Sequence, residues 1–399
     1  MNGFPSFRPP RRGLPNGLRP LIAAALVATV PVAAWATEPP QVVLRGSLTL
    51  PDRATDGEGR EVPVTGLSGI AWLGDDRYVA IMDNSRHLLR FRLRLSQAGM
   101  PLEATDLTVV ALAERHDYED VTPCPAAAAV SLASGGAEGA DAAAEHVLVC
   151  EEDTPAIRGF SLAEGAAIGV VPLPQNLRTR RPNRGLESLA LEPGGGFVWT
   201  ANEEALPADG AAAAKGAATV VRLTRIPLGG AAAGGADCFQ AAYRVDPVHE
   251  HVKVLPGDPL SGLSALVALG GGRLLALERS GAAGLPPFSS RLYLVAVDEA
   301  ADVAGVDRDL AARDDLVVAK RLLWQEALGI NLEGLCAGPR LAGGGLALVG
   351  IADNGGLGTP NQIVGLALEP PAPPLDPRLL GAVAAVVVAA LLAAGLTSP

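Results

Sequence analysis

Aromatic residues make up only 4% of this 399-residue chain, and charged residues only 19%. So few rings exclude a surface that stacks bases or sugars on many of them. Positive charge is scarce as well: 32 Lys and Arg stand against 43 Asp and Glu, a formal net charge of −11. Nucleic-acid binders draw affinity from clustered Lys and Arg that release counterions, so this balance argues against such a partner. Familiar catalytic signatures are missing too. Gly66-Leu67-Ser68-Gly69 lacks the G-x-S-x-G spacing of a nucleophile elbow. Arg115-His116-Asp117 is not followed by the Gly and second Arg of a histidine phosphatase, and His249-Glu250-His251 is not HExxH but reads as an exposed loop. No CxxC, zinc-ligand spacing, Walker loop or dinucleotide fingerprint occurs.

What is present points to a folded, β-rich protein. Hydrophobic residues are 49% of the chain, enough for the core of one large domain or two ordinary ones. Gly (47) and Pro (33) are about a fifth of all residues, too many for a helical bundle and suited to many turns.

The two ends read as targeting segments. Arg8, Arg11, Arg12 and Arg19 form an acid-free leader before the apolar run Leu21–Ala34, and Ala34-Trp35-Ala36 has the small-x-small form of a signal-peptidase site. Cleavage would remove residues 1–36, with four positive charges and no negative one, taking the net charge from −11 to −15. At the other end, a Pro-rich spacer at 370–378 precedes the apolar tail Leu379–Leu396. Eighteen helical residues span about 27 Å, which is enough to cross a hydrocarbon core. The tail is therefore expected to contact the membrane as a transmembrane anchor, although a processed lipid-anchor signal has the same composition. The expected location is outside the cytoplasm, membrane-anchored at the cell envelope or secreted or periplasmic.

Four cysteines in an exported chain suggest disulfides. Cys124 and Cys150 flank the Ala/Gly-rich stretch 126–145, which reads as an expanded loop between adjacent strands, and they are the expected pair. Cys238 and Cys336 pair with each other or stay free.

The most informative feature is an internal repeat. Gly66-Leu67-Ser68, Gly185-Leu186-Glu187, Gly262-Leu263-Ser264 and Asn331-Leu332-Glu333 each begin a strand-like run. Each leads through a Gly- or Asp-rich turn into a second strand ending in Asp83, Glu203, Glu278 or Asp353. A weaker copy starts at Tyr118-Glu119-Asp120 and ends at Glu151. The turns supply positive-φ positions that hairpins require. Ser68, Glu119, Glu187, Ser264 and Glu333 are 51, 68, 77 and 69 residues apart, the spacing of four-stranded propeller blades with loops. The expected fold is an all-β β-propeller over 37–369 with six blades, within a range of five to seven. A two-sheet sandwich is the alternative, but it leaves the recurring acids unexplained.

The succession GLSGIAW, DYEDV, NRGLESLAL, GLSALVALGGGRLLALER, NLEGL and IADN resembles the phytase-like domain family, "esterase-like activity of phytase", over roughly residues 44–368. That resemblance implies a propeller related to calcium-dependent phytases, in an exported protein acting on phosphoester or ester substrates.

Equivalent positions of a propeller converge on its central channel. Asp83, Glu119, Glu151, Glu203, Glu278 and Asp353 are expected to hold a cation, while Glu187, Glu333 and Arg279 are the expected catalytic residues. Clustered carboxylates repel unless a cation or protons neutralise them. Oxygen ligands without Cys or His favour Ca²⁺, and less so Mg²⁺, over Zn²⁺. Arg184 and Arg279 adjoin these acids and are placed to hold a phosphate. Two functions follow: a divalent-cation-dependent hydrolase of small-molecule phosphoesters or esters, or a non-catalytic propeller that binds a ligand or protein at the cell envelope.

Overall fold

The repeats fold as strands because their β-rich runs are short and cut by Gly and Asp turns, as at Asp75 and Gly74, where φ is 50° and 99°. The computed structural model describes residues 39–133, 145–229, 238–326, 329–353 (Asp353 by backbone alone) and 360–371. Five four-stranded antiparallel units follow one another along the chain.

Blade 1 runs outward through Leu67–Trp72, Arg77–Met82, Ser85–Leu95 and Pro101–His116, with Arg53–Asp56 and Glu61–Pro63 added at its edge. Blade 2 comprises Tyr118–Cys124, His146–Glu151, Ala156–Ser161 and Ala167–Val171. Leu186–Leu191, Phe197–Asn202, Thr219–Pro227 and Phe239–Val245 form blade 3, and Leu260–Gly270, Arg273–Gly281, Phe288–Ala296 and Lys320–Glu326 form blade 4. In blade 5, Asn331–Arg340, Leu346–Asp353 and Gln362–Glu369 are completed by the N-terminal strand Gln41–Thr49. That exchange closes the ring by pairing the two ends of the domain. The first strands of the five blades pack side by side in a closed circle, so the fold is a five-bladed propeller rather than one with six blades. The sequence contains only five copies of the inner-strand pattern, and the longer intervals are filled by insertions instead of a further sheet.

Blades stack face to face, so their inner strands are buried on both sides, as in Leu67–Ala71 and Val198–Asn202. Five apolar clusters fill the five seams. One example lies between blades 1 and 2, where Val79 and Ile81 meet Val121 and Val149. Another joins blades 3 and 4 through Trp199, Tyr243, Leu266 and Leu274. Burying each such aliphatic side chain contributes about 1.5–3 kcal/mol.

Two local expectations change. Residues 126–133 of the Ala-rich insertion form a short α-helix that buries Ala128, Ala129 and Ala133 rather than a loop. All four cysteines are free. On the hairpin of blade 2, Cys150 faces Asp120 while Cys124 faces His146, four residues further along. That offset is about 13 Å at about 3.3 Å per residue, well beyond the roughly 7 Å Cα separation a disulfide spans. The leader at 1–36 and the tail Leu379–Leu396 lie outside the described residues. Among the described residues, no helix is long and apolar enough to cross a membrane.

Candidate metal centre at the channel mouth

Every inner strand carries a β-bulge near its start, and the extra residue is Ser68, Glu119, Glu187, Ser264 or Glu333. A bulge leaves one residue outside the ladder and re-aims its side chain. The repeat therefore presents five such residues, three of them Glu, at one end of the channel.

The second strands supply another set. Asp83 N–H bonds Gly66 O, Glu152 N–H bonds Asp117 O and Glu203 N–H bonds Gly185 O. Arg279 pairs with Gly262 and Asp353 with Asn331. These five positions are equivalent, so Glu152 and Arg279 stand where the sequence suggested Glu151 and Glu278. Strand side chains alternate, and a shift of one residue turns a side chain to the other face. Glu151 lies on that other face, fully buried, 2.6 Å from Arg158 Nε and 2.9 Å from His116 Nδ1. Glu278 likewise meets Lys320 Nζ at 2.5 Å and accepts the Tyr243 hydroxyl at 2.7 Å. The structure does not bring either residue to the cluster.

Close backbone approach makes room for the acids. A Cβ on Gly185 would lie 2.5 Å from Glu152 O, and one on Gly262 would lie 2.3 Å from Glu203 Cγ. Gly185 and Gly262 are thus the seats of the preceding blade's Glu152 and Glu203.

Two groups of acids are close enough to share a cation: Asp117, Glu119 and Glu152, and then Glu152, Glu187 and Glu203, with one ligand atom from each within 4.8 Å of the others. Glu152 belongs to both groups. Glu119 is half-buried and the others are buried. Burial, then the charges of Glu152 and Asp117, raise the Glu119 carboxyl well above the ordinary range. The same holds for Glu187, where burial and then Glu119 and Glu203 act against the pull of Arg279. Burial raises Glu152 to about 7, although the Gly185 N–H opposes it. Asp117 is raised by burial and by Asp153.

Positive charge sits on one side only. Arg279 Nη1 donates to Glu333 at 2.6 Å and to Asn331 Oδ1 at 3.0 Å, while Nη2 donates to Glu203 at 2.6 Å. Its distance to Glu187 is 3.8 Å. Arg184 Nε lies 3.1 Å from Glu203 and 3.6 Å from Glu204. Among the described residues, no Lys or Arg forms an ion pair with Asp117, Glu119 or Glu152. The blade 2 side of the mouth therefore carries carboxylates without an ion-paired base, while the blade 3 acids Glu187 and Glu203 face Arg279 and Arg184. Its donor set is all oxygen, which fits Ca²⁺ or Mg²⁺ and not Zn²⁺.

Deeper in the channel, the Asp120 carboxylate accepts the Val121 N–H at 2.8 Å and the Leu189 N–H of the next blade at 2.7 Å. Beyond it, all five inner strands line an apolar cavity of about 170 Å³ that includes Ala71, Val121, Leu189, Val267 and Cys336.

Sequence reasoning missed Asp117, Glu152 and Asn331. Asp117 and Asn331 occupy the place of Gly66, Gly185 and Gly262 in the repeat, and that alignment was available to reveal them. His249, expected in an exposed loop, is buried between Ser280 Oγ at 2.8 Å and Pro286 O at 2.9 Å.

A family model described as phytase-like, esterase-like activity of phytase, matches residues 62–356. No curated protein matches the chain. Similar solved structures include an endo-arabinase from Bacteroides thetaiotaomicron at 10% identity and TM-score 0.38, covering 84% of this chain and 98% of that one. A thermostable family-43 glycoside hydrolase is 9% identical with TM-score 0.39, covering 82% of this chain and 98% of its own. The PQQ-bound aldose sugar dehydrogenase from Streptomyces coelicolor is 12% identical with TM-score 0.33, covering 81% and 98%. Similarity this low says nothing of substrate.

Proposed function

This chain belongs to the phytase-like family, and from its acid-lined channel mouth we propose that it is a divalent-cation-dependent hydrolase of phosphoesters or other esters. The observation that carries the reading is the pair of carboxylate groups sharing Glu152, of which Asp117, Glu119 and Glu152 form no ion pair with a Lys or Arg among the described residues.

Asp117, Glu119 and Glu152 would hold the cation, with Glu187 and Glu203 grouped around Glu152 on its other side and Ca²⁺ the best match to an all-carboxylate set. When bound, such an ion polarises an ester oxygen and acidifies a water molecule. Glu187 makes no hydrogen bond to any described residue and is nearly buried. It is free to accept a proton from an attacking water, and burial with the neighbouring Glu119 and Glu203 charges makes its carboxylate a stronger base than an ordinary one. Glu333 is committed to Arg279 and Asn331, so it orients that side of the mouth instead of moving protons. The basic leader at 1–36 supports placing the activity outside the cytoplasm.

The test is a panel of nitrophenyl phosphate, phosphodiester and carboxylate esters, assayed with Ca²⁺, with Mg²⁺ and with chelator. Cation-dependent turnover that Glu187→Gln abolishes is the expected result. Cation binding without turnover of any ester would favour a propeller that only binds its ligand.

A further inference from the structure

At the equivalent second-strand position, blades 1, 2, 3 and 5 carry an acid and blade 4 carries Arg279. We propose that Arg279 is a resident cation of the ring, a positioning residue whose guanidinium fills the place of a second metal ion between blades 3, 4 and 5. The inference rests on reading this mouth as a cation site.

Three observations carry it. The guanidinium bridges carboxylates of two other blades, with Glu203 and Glu333 both 2.6 Å from its terminal nitrogens, and Asn331 Oδ1 makes a further contact at 3.0 Å. Arg279 is 91% buried, and its Nε has no partner, so the group is held from the acid side alone. Both groups of acids able to share a cation lie toward blades 2 and 3, and neither includes Glu333. A guanidinium cannot be deprotonated in a protein and cannot be chelated away. It stays bonded to Glu203 and Glu333 whatever the metal supply, and leaves exchangeable cation to the carboxylates gathered around Glu152.

Removing its charge while leaving the oxygens should create a new place for a hard cation, since Glu203, Glu333, Asn331 and Glu187 would then surround a space without its guanidinium, with Arg184 remaining on Glu203 alone of these four. The experiment compares wild type, Arg279→Gln and Arg279→Lys by Ca²⁺ calorimetry and by thermal unfolding in chelator and in Ca²⁺. Arg279→Gln should bind about one more equivalent of Ca²⁺ than wild type, and should unfold earlier in chelator and recover when Ca²⁺ is added. Arg279→Lys keeps the charge and should keep the wild-type stoichiometry. Equal stoichiometry in Arg279→Gln and wild type, or a lowered midpoint that Ca²⁺ does not restore, overturns the assignment. If Arg279→Gln fails to fold without metal, refolding in Ca²⁺ supports the assignment and failure in both conditions overturns it. A wild type that binds no Ca²⁺ beside an Arg279→Gln that binds one defeats the hydrolase reading alone. Wild-type binding with no gain in the variant defeats this inference alone.

Discussion

The Glu152 carboxylate of blade 2 accepts the Gly185 backbone N–H of blade 3 at 2.9 Å. That one bond ties the carboxylate shared by both acid groups to the neighbouring blade, so the proposed cation binding and the seam between blades depend on the same side chain.

Removing the charge at this position is the first prediction. Glu152→Gln keeps a side-chain oxygen to accept from Gly185 but removes a carboxylate from both groups. Ca²⁺ affinity should fall by at least 10-fold, equivalent to about 1.4 kcal/mol. Titration calorimetry checks this.

A pH dependence follows from the raised carboxyls. Glu152 titrates at about 7 in the folded protein against an ordinary value of 4.5, with Glu119 and Glu187 shifted the same way. A folded-state value above the unfolded one stabilises the protein while the group is protonated, and that stability is lost as pH rises through the folded value. In chelator, the thermal midpoint should therefore fall as pH rises from about 4.5 to about 7, at a cost of order 1–2 kcal/mol after allowing for solvent at the mouth. Saturating Ca²⁺ should flatten that slope, and Glu152→Gln should reduce it in chelator. Differential scanning calorimetry across the pH series checks both.

Glu278 provides a contrast with the channel acids. Its partners are Lys320, Tyr243, the Asp246 N–H and, at 3.8 Å, Arg291, none of them among the channel acids. Glu278→Gln should lower stability by about 1–3 kcal/mol, because Lys320 loses one of its two carboxylates and keeps Asp246 at 2.7 Å. Ca²⁺ stoichiometry should be unchanged, as measured by calorimetry on the folded variant.

Backbone space is tested at Gly262. A Cβ there would lie 2.3 Å from Glu203 Cγ, so Gly262→Ala forces that carboxylate to move. Ca²⁺ affinity should drop, and the thermal midpoint should fall with it, because the displaced Glu203 also loses its 2.6 Å bond from Arg279.

Much of this arrangement was legible in the residues alone. Aligning Gly-Leu-Ser, Gly-Leu-Glu and Asn-Leu-Glu placed Ser68, Glu119, Glu187, Ser264 and Glu333 at one position, and all five are bulge residues at the channel. The bulge itself was not legible, because its extra residue depends on how the strand meets its partner. Without it, the facing of the second strands could not be settled where two polar residues are adjacent, as in Glu151-Glu152 and Glu278-Arg279. Either member of each pair suits the pattern, and only the ladder register selects Glu152 and Arg279. Blade number was obscured for a different reason. Long Ala/Gly insertions stretch the intervals between repeats, and the outermost strand of blade 5 comes from the far end of the chain, at Gln41–Thr49.

The central claim is that the acids of blades 2 and 3 hold an exchangeable divalent cation. Its most direct test is Ca²⁺ titration calorimetry of chelator-treated wild type beside Glu152→Gln at pH 8. Saturable binding by wild type, weakened at least about 10-fold in the variant, is the predicted result. No binding heat in wild type, or the same isotherm for both proteins, would contradict it.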